Sequence, residues 1–208
     1  MHKTKLIIIG AGGHGVSVAE AAGLSGAFEV VGFLDDAMPV GQTVLNVSVI
    51  GAIGGLSNVD RLDSYRAACE QVIVAVGNNA VREKITTQLV DAGFYIATVI
   101  HPRAFVSPSA VVGRGSAVMA GAIVGAEARL GLGSIVNCGA VVDHHARVED
   151  FGHLGVNASM AGGTLLGRGA WMQAGAVLGF GVEIPEGVIL LPGEAVEVKS
   201  NKNKLRTE

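Results

Sequence analysis

Three of the six histidines fall within ten residues, in the segment Asn137-Cys-Gly-Ala-Val-Val-Asp143-His144-His145-Ala-Arg-Val-Glu-Asp-Phe-Gly-His153. An imidazole titrates near neutral pH, so a histidine directly after an acidic residue on a rigid scaffold is a candidate general base. His144, after Asp143, fits that description; Asn137, His145 and His153 are the polar side chains grouped with it. Three histidines also raise zinc, but His-His-x7-His is not a ligand spacing, and no Cys or carboxylate pattern completes it. No Gly-x-Ser-x-Gly elbow occurs and Ser159 has no partner pattern, so nucleophilic serine chemistry is unsupported.

A second group lies near the amino terminus. Gly10, Gly12 and Gly15 satisfy G-x-G-x-x-G after an apolar run, and Asp35 and Asp36 follow about twenty residues on. Such a turn lets backbone approach a phosphate while the N-terminus of the next helix faces the anionic oxygens. His14 within it is a possible phosphate donor, against the plainer reading of an exposed loop histidine. The pattern indicates a phosphate near the helix more than it indicates NAD, because the domain is short for the two mononucleotide-binding halves of a dinucleotide fold. NAD is not expected. Asp35 and Asp36 close a strand at its carboxyl end, where a carboxylate can accept from a ribose hydroxyl or a base N–H; an ordinary acidic turn is the alternative.

These groups need elements to hold them. Lys5–Gly10, Glu29–Leu34, Gln71–Val76 and Tyr95–Ile100 read as strands, and Val44–Gly51 as a weaker strand or loop. Val16–Leu24 and Ala80–Ala92 read as helices, the second opened by Asn78 or Asn79 as N-cap and ended by Gly93. The alternation predicts a small α/β, Rossmann-like domain with a parallel sheet over residues 1–102. From Val106 every sixth residue up to Val196 is aliphatic or Met, sixteen in all, without an insertion. Four residues after each, from Ala110 to Ala176, sits Ala, Ser, Thr or Gly. A hexapeptide period is the mark of a parallel β-helix. The large residue fills a narrow prism and the small one turns the corner, so residues 103–198 are predicted to form a left-handed parallel β-helix of hexapeptide repeats. His101-Pro102 marks the junction, with almost no linker, and 199–208 is a polar tail.

Composition agrees. Half of the 208 residues are hydrophobic but only 4% aromatic, a core of Val, Ile, Leu and Ala. A formal charge of −3 offers no general attraction for nucleic acid or anionic membrane. Cys69 and Cys138 make neither a disulfide framework nor a zinc pattern and suit a reducing compartment. With no basic-then-apolar leader and no apolar stretch of spanning length, the chain reads as soluble and cytoplasmic, without membrane insertion.

The order of Gly-Gly-His-Gly, Phe-Leu-Asp-Asp, Val-Gly-Asn-Asn followed by Arg82, Ile-His-Pro, a hexad repeat and Asn-x-x-x-Val-Val-Asp-His resembles the bacterial nucleotide-sugar acetyltransferases. That group holds the UDP-4-amino-sugar and GDP-perosamine N-acetyltransferases, with the sialic acid O-acetyltransferases close by. The resemblance implies an acetyl-CoA-dependent enzyme acting on a nucleotide-linked amino sugar by direct attack, without metal or NAD. It implies His144 as the general base, Asn137 and His153 beside it, and Asp143 and His145 as its flanking supports. Gly12, Gly13 and His14 would hold the diphosphate, and Asp35 and Asp36 the nucleoside. Gly162 and Ala174 would line the acetyl-CoA groove between the β-helices of a homotrimer.

Two departures from the family pattern stand out. His145 replaces an acidic residue common in relatives, and Asp143 is expected to point away from His144, since neighbours on a strand face opposite sides. The end, Leu-Pro-Gly-Glu-Ala-Val-Glu-Val, replaces a Gly-Val-Pro-Ala segment that helps bind CoA; the four cations of Lys199–Arg206 are read as a solvated tail or as partners of the CoA phosphates. Sugar O-acetylation and a catalytically silent nucleotide-sugar-binding β-helix are the competing readings.

Overall fold

A computed structural model of the chain describes residues 2–198; the tail from Lys199 onward, with its proposed phosphate role, lies outside the described residues. The first part is a five-stranded sheet, running in space from Thr43–Val44 through Val47–Gly51, Phe28–Leu34 and Thr4–Ile9 to Gln71–Val74. β1 (Thr4–Ile9) lies parallel to β2 (Phe28–Leu34) and to β5 (Gln71–Val74). β4 (Val47–Gly51) is parallel to β2, while the two-residue β3 (Thr43–Val44) pairs with it in an antiparallel hairpin. A central strand covered on both faces must be apolar throughout, and Leu6, Ile7, Ile8 and Ile9 are fully buried. Helix α1 (Gly13–Ser25) packs Val18, Ala21 and Ala22 against one side of the sheet. Helix α3 (Asn79–Asp91) places Ile85 and Leu89 on the other, its N-cap Asn78 accepting from the Val81 N–H. Helix α2 (Val59–Ala68) was not expected; Tyr65 is its buried residue, and its charged, mostly exposed surface shows no apolar stripe in the sequence.

One expectation is corrected. Tyr95–Ile100 is not the last strand of this sheet: Ile96 makes a single bridge to Val72, and β6 (Val99–Ile100) pairs instead with β9 (Ala117–Val118) of the repeat. The run is apolar and extended in either case, and nothing local says which sheet it joins. The prism therefore begins at Val99.

From β7 (Phe105–Val106) to β22 (Ala195–Val196) a two-residue strand recurs every six residues, and each ends on one of the sixteen hexad positions. The strands stack into three parallel faces: β6-β9-β12-β15-β18-β21, β7-β10-β13-β16-β19-β22 and β8-β11-β14-β17-β20, here the first, second and third face. Most of the hexad side chains, from Val118 to Leu190, lie buried inside with the small residues Ala122, Ala128, Ala140, Ala146, Ala158, Ala170 and Ala176. Ser116, Ser134 and Thr164 take small-residue places, and each hydroxyl donates to a backbone carbonyl, so no polar group is buried unpaired there. Corners are turned by residues with positive φ, glycine at most of them, from Gly115 (φ 76) to Gly193 (φ 69).

The α/β domain covers the first face. Arg82, 1% exposed, crosses from α3 to the prism, donating from Nε to the Gly133 carbonyl (2.8 Å) and from a terminal nitrogen to the Phe151 carbonyl (2.7 Å). It also donates to the Asn79 side-chain oxygen and to the carbonyls of Val76 and Gly77, so the same side chain holds the loop after β5. Asn79 donates to the Gly169 carbonyl (2.8 Å), and Arg168 pairs with Glu83 and Asp150. No helix among the described residues is long and apolar enough to cross a membrane.

Candidate active site

β1 ends at Ile9 and the chain turns through Gly10 into α1. Two of the glycines are required by packing. Gly10 has φ +106, with the Ala75 carbonyl 2.9 Å from where a Cβ would stand, and a Cβ on Gly15 would collide with the Gly10 carbonyl. Gly12 and Gly13 are different: a Cβ on either would meet nothing within 4 Å. They border a cavity of about 380 Å³ lined also by His14, Asp35, Asp36, Ile53 and Val76. Helix α1 opens onto it with no side-chain cap and no acidic residue in its first turn, so its N-terminal N–H groups are left for an anion.

Asp35 and Asp36 both line this cavity but are not equivalent. Asp35 accepts from the N–H groups of Ala11, Ala37 and Met38 (2.8, 2.8 and 3.0 Å). Desolvation raises its pKa, but the three N–H donors outweigh that and hold the carboxyl below its ordinary value. It ties the glycine turn to the loop after β2. Asp36 Oδ1 accepts from the Gly54 N–H (3.0 Å), and its Oδ2 has no hydrogen bond among the described residues.

A second cavity of about 270 Å³ adjoins the first, sharing Gly13, His14 and Gly77. Its far wall belongs to the prism: Met119, Asn137, Cys138, His153 and Val156. His153 begins β15 (His153–Leu154) on the first face, and Asn137 follows β12 (Ile135–Val136) directly above. The Asn137 amide nitrogen lies 2.9 Å from His153 Nε2. With the amide donating, the imidazole proton sits on Nδ1, toward the Gly77 carbonyl, though without a well-formed bond. The ring stacks on Trp171 at 5.2 Å and 14°. Burial, then the Arg82 charge, then His14 push the His153 pKa down to about 3, against a small opposing effect of Gly77. Burial and then Arg82 push His14 down to about 4, and His14 Nε2 is a buried nitrogen without a hydrogen-bond partner among the described residues. Both rings are neutral at physiological pH. His153 points outward from the prism, and the α/β domain buries it.

His144 is elsewhere. It lies in the turn after β13 (Val141–Val142), at the corner between the second and third faces, whereas Asn137, Cys138, Val156 and Ala174 follow the strands of the first face. One chain does not bring His144 to His153. The expectation for Asp143 is corrected: it is not on a strand but in the turn, where strand alternation does not apply, and its Oδ1 accepts the His144 N–H at 2.7 Å. Its Oδ2 stands 3.8 Å from His144 Nε2. His144 Nδ1 lies 3.1 Å from His145 Nδ1, and His145 Nε2 lies 3.2 Å from Glu127 Oε2. Gly162 sits under the His144 ring; a Cβ there would stand 2.5 Å from Nε2. Gly162 and Ala174 therefore belong to different corners.

Sequence reasoning missed three contributors. Arg82 was noted only as part of a motif, Cys138 only as a free thiol. Glu127 had a visible signal: it stands in the six-residue series of corner positions filled with glycine at 115, 121, 133 and 139.

Comparison with known proteins gives a consistent set of relatives. Residues 5–89 match the family described as the PglD N-terminal domain. The chain superposes with a TM-score of 0.80 on a histidine-to-alanine mutant of GDP-perosamine N-acetyltransferase from Caulobacter crescentus, crystallised with CoA and GDP-perosamine. The identity is 32%, over 92% of this chain and 90% of that one. The acetyltransferase domain of PglB from Neisseria gonorrhoeae, in complex with acetyl coenzyme A, aligns at 37% identity and a TM-score of 0.71, over 95% and 97% of the two chains. The UDP-N-acetylbacillosamine N-acetyltransferase of Bacillus subtilis is 46% identical over 48 residues, 23% of this chain and 22% of that protein, so this match spans less than a quarter of that protein.

Proposed function

The chain belongs to the bacterial nucleotide-sugar N-acetyltransferase family built on a left-handed β-helix, and we propose that it moves acetyl from acetyl-CoA to the amine of a nucleotide-linked amino sugar. The observation that carries this is the pair of adjoining cavities sharing Gly13, His14 and Gly77. The diphosphate sits on the open N-terminus of α1 at Gly12 and Gly13, the nucleoside reaches toward Asp36, and the sugar enters the cavity walled by Asn137 and His153. Neutral His14 and His153 line this cavity without adding charge to it.

The amine reaches the site largely as ammonium and must lose a proton to become a nucleophile. His144 Nε2 takes that proton; the freed amine nitrogen then attacks the thioester carbonyl, the C–N bond forms, the C–S bond breaks, and the second proton shed by the nitrogen passes to the leaving thiolate. Attack is direct, with no acetyl-enzyme.

Since His144 and His153 lie on different sides of one prism, the complete site forms between chains of a homotrimer, with acetyl-CoA along Gly162 of one β-helix and Ala174 of its neighbour. The outward column of the second face supports this. Phe105, Ile123, Val141, Ser159, Val177 and Ala195 stand in register, and Phe105, Ile123 and Val177 are 59%, 42% and 42% exposed in the single chain.

A UDP-4-amino-4,6-dideoxy sugar is the first substrate class, favoured by the Bacillus subtilis relative; a GDP-linked amino sugar is second, favoured by the Caulobacter crescentus relative. Incubation with acetyl-CoA and a panel of UDP-, GDP-, dTDP- and CMP-linked sugars tests the reading. Thiol release is expected with an amino sugar and not with its hydroxyl counterpart. Release with a sialic acid alone would replace N- by O-acetylation, and silence across the panel would reduce the chain to a binding protein.

A further inference from the structure

Besides Asp143 on its own turn, an acidic side chain one coil away is linked to His144 through His145. Glu127 and His145 occupy the same corner of successive coils: the His145 N–H donates to the Ala126 carbonyl, as the Gly163 N–H below donates to that of His144. At this corner the backbone is left-handed, and the next two coils place glycine there, Gly163 (φ 67) and Gly181 (φ 67). Glu127 (φ 57) and His145 (φ 58) hold the same conformation with a side chain, which an L-residue adopts only at a conformational cost. Two consecutive coils carry that cost beside the candidate base.

The two side chains are joined in a line. His145 Nε2 is 3.2 Å from Glu127 Oε2, and His145 Nδ1 is 3.1 Å from His144 Nδ1. With both imidazoles neutral, the donor and acceptor chemistry determines the proton placement in this line. A carboxylate only accepts, so His145 carries its proton on Nε2. Its Nδ1 is then a lone pair, so the facing His144 Nδ1 must be the donor. That leaves His144 Nε2 without a proton, over Gly162, whose missing Cβ gives the ring edge its space.

We propose that Glu127 is a positioning residue that acts through His145 to hold His144 as the Nδ1–H tautomer, with Nε2 free to take the proton of the attacking amine. The inference rests on the general-base reading of His144. It gives a role to the histidine directly after the base: the carboxylate stands on the coil above and reaches the base through this second imidazole. Asp143 flanks His144 on its own turn, and the coil below brings Gly162 and Gly163, which do not titrate. When Nε2 gains its proton, both carboxylates stabilise the imidazolium.

The test uses Glu127→Gly, which puts in place the residue this corner holds in other coils. Its melting temperature is expected to equal or exceed that of the parent, so loss of fold does not cloud the result. In the full chain labelled with ¹⁵N-histidine, the two ring nitrogen shifts of His144 should report Nδ1–H in the parent and a change toward Nε2–H in Glu127→Gly. With substrate, kcat should fall about tenfold, well short of the ~10⁴-fold loss seen when a triad histidine is left in the wrong tautomer, with KM nearly unchanged. The acidic limb of kcat/KM should move to lower pH, because loss of the remote carboxylate weakens the base. His145→Glu, which lets a carboxylate accept from His144 directly, should restore the rate and make it indifferent to Glu127→Gly. A His144 that is Nε2–H in the parent, or unchanged in the variant, overturns the proposal whatever the activity. An enzyme inactive on every amino sugar overturns the acetyltransferase reading and leaves the tautomer measurement to decide this one.

Discussion

The guanidinium of Arg82, on the helix after β5, lies 2.7 Å from the carbonyl of Phe151, at a left-handed corner of the prism. No carboxylate bonds it among the described residues, and burial pulls its pKa down to about 10, so it stays charged on backbone and amide oxygens. Together with Asn79 and the Arg168–Glu83 pair this side chain joins the two domains, it holds the Gly77 loop shared by both cavities, and it adds to burial in keeping His14 and His153 neutral.

Replacing Arg82 by Met should therefore do more than remove a surface charge. The buried carbonyls of Gly133 and Phe151 lose their donor, at about 1–3 kcal/mol each. Arg82→Lys keeps the charge but not the fork and should recover only part. Urea unfolding measures this; a change within about 0.5 kcal/mol, usual for an unimportant surface site, would contradict it.

Acid sensitivity follows from the two neutral histidines. Unfolded, they bind protons near 6.5; folded, near 4 for His14 and near 3 for His153. The unfolded chain thus holds more protons between those values, so the stability the neutral rings carry is complete above about pH 6.5 and drains away as pH falls toward 4. The slope is up to about 1.4 kcal/mol per pH unit for each ring. Unfolding midpoints measured from pH 7.5 to 4 should show it, and His153→Asn should flatten the curve. Asp35, whose pKa is lowered, acts in a separate window below the ordinary carboxylate range.

Much of this was legible in the sequence, for a geometric reason. A coil of three hexads stacks like on like, so the core position could be counted off from Val106 to Val196 before any coordinates. The same regularity made Glu127 and His145 visible as gaps in a glycine series, although what they hold was not. Tyr95–Ile100 was misassigned because an apolar β-run does not state its partner. Asp143 was misplaced because strand alternation was applied inside a turn. Arg82 was opaque: its partners are backbone carbonyls, which have no residue identity to recognise.

The two aspartates should separate on substitution. Asp36→Asn removes a cavity-facing acceptor and should raise KM for the sugar nucleotide about tenfold, the worth of one hydrogen bond at about 1–1.5 kcal/mol, with kcat and Tm preserved. Asp35→Ala frees three backbone N–H groups and should lower Tm as well. A pure kcat effect at Asp36 would contradict the assignment.

Gly162 offers a test of how closely the base is held. Its φ is not in the left-handed range, so alanine suits the backbone, yet the added Cβ would stand 2.5 Å from His144 Nε2. The half-exposed ring should swing away rather than the coil deform. Gly162→Ala should keep its Tm and lose at least tenfold in kcat; an active Gly162→Ala would mean the ring is not used where it stands.

The central claim is that His144 takes the proton from the sugar amine. Its most direct test is kcat for His144→Ala with saturating acetyl-CoA and sugar nucleotide, alongside calorimetric binding of the sugar nucleotide. The account predicts a loss of about 10²–10⁴-fold in kcat with binding intact. An unchanged kcat would remove His144 from the mechanism.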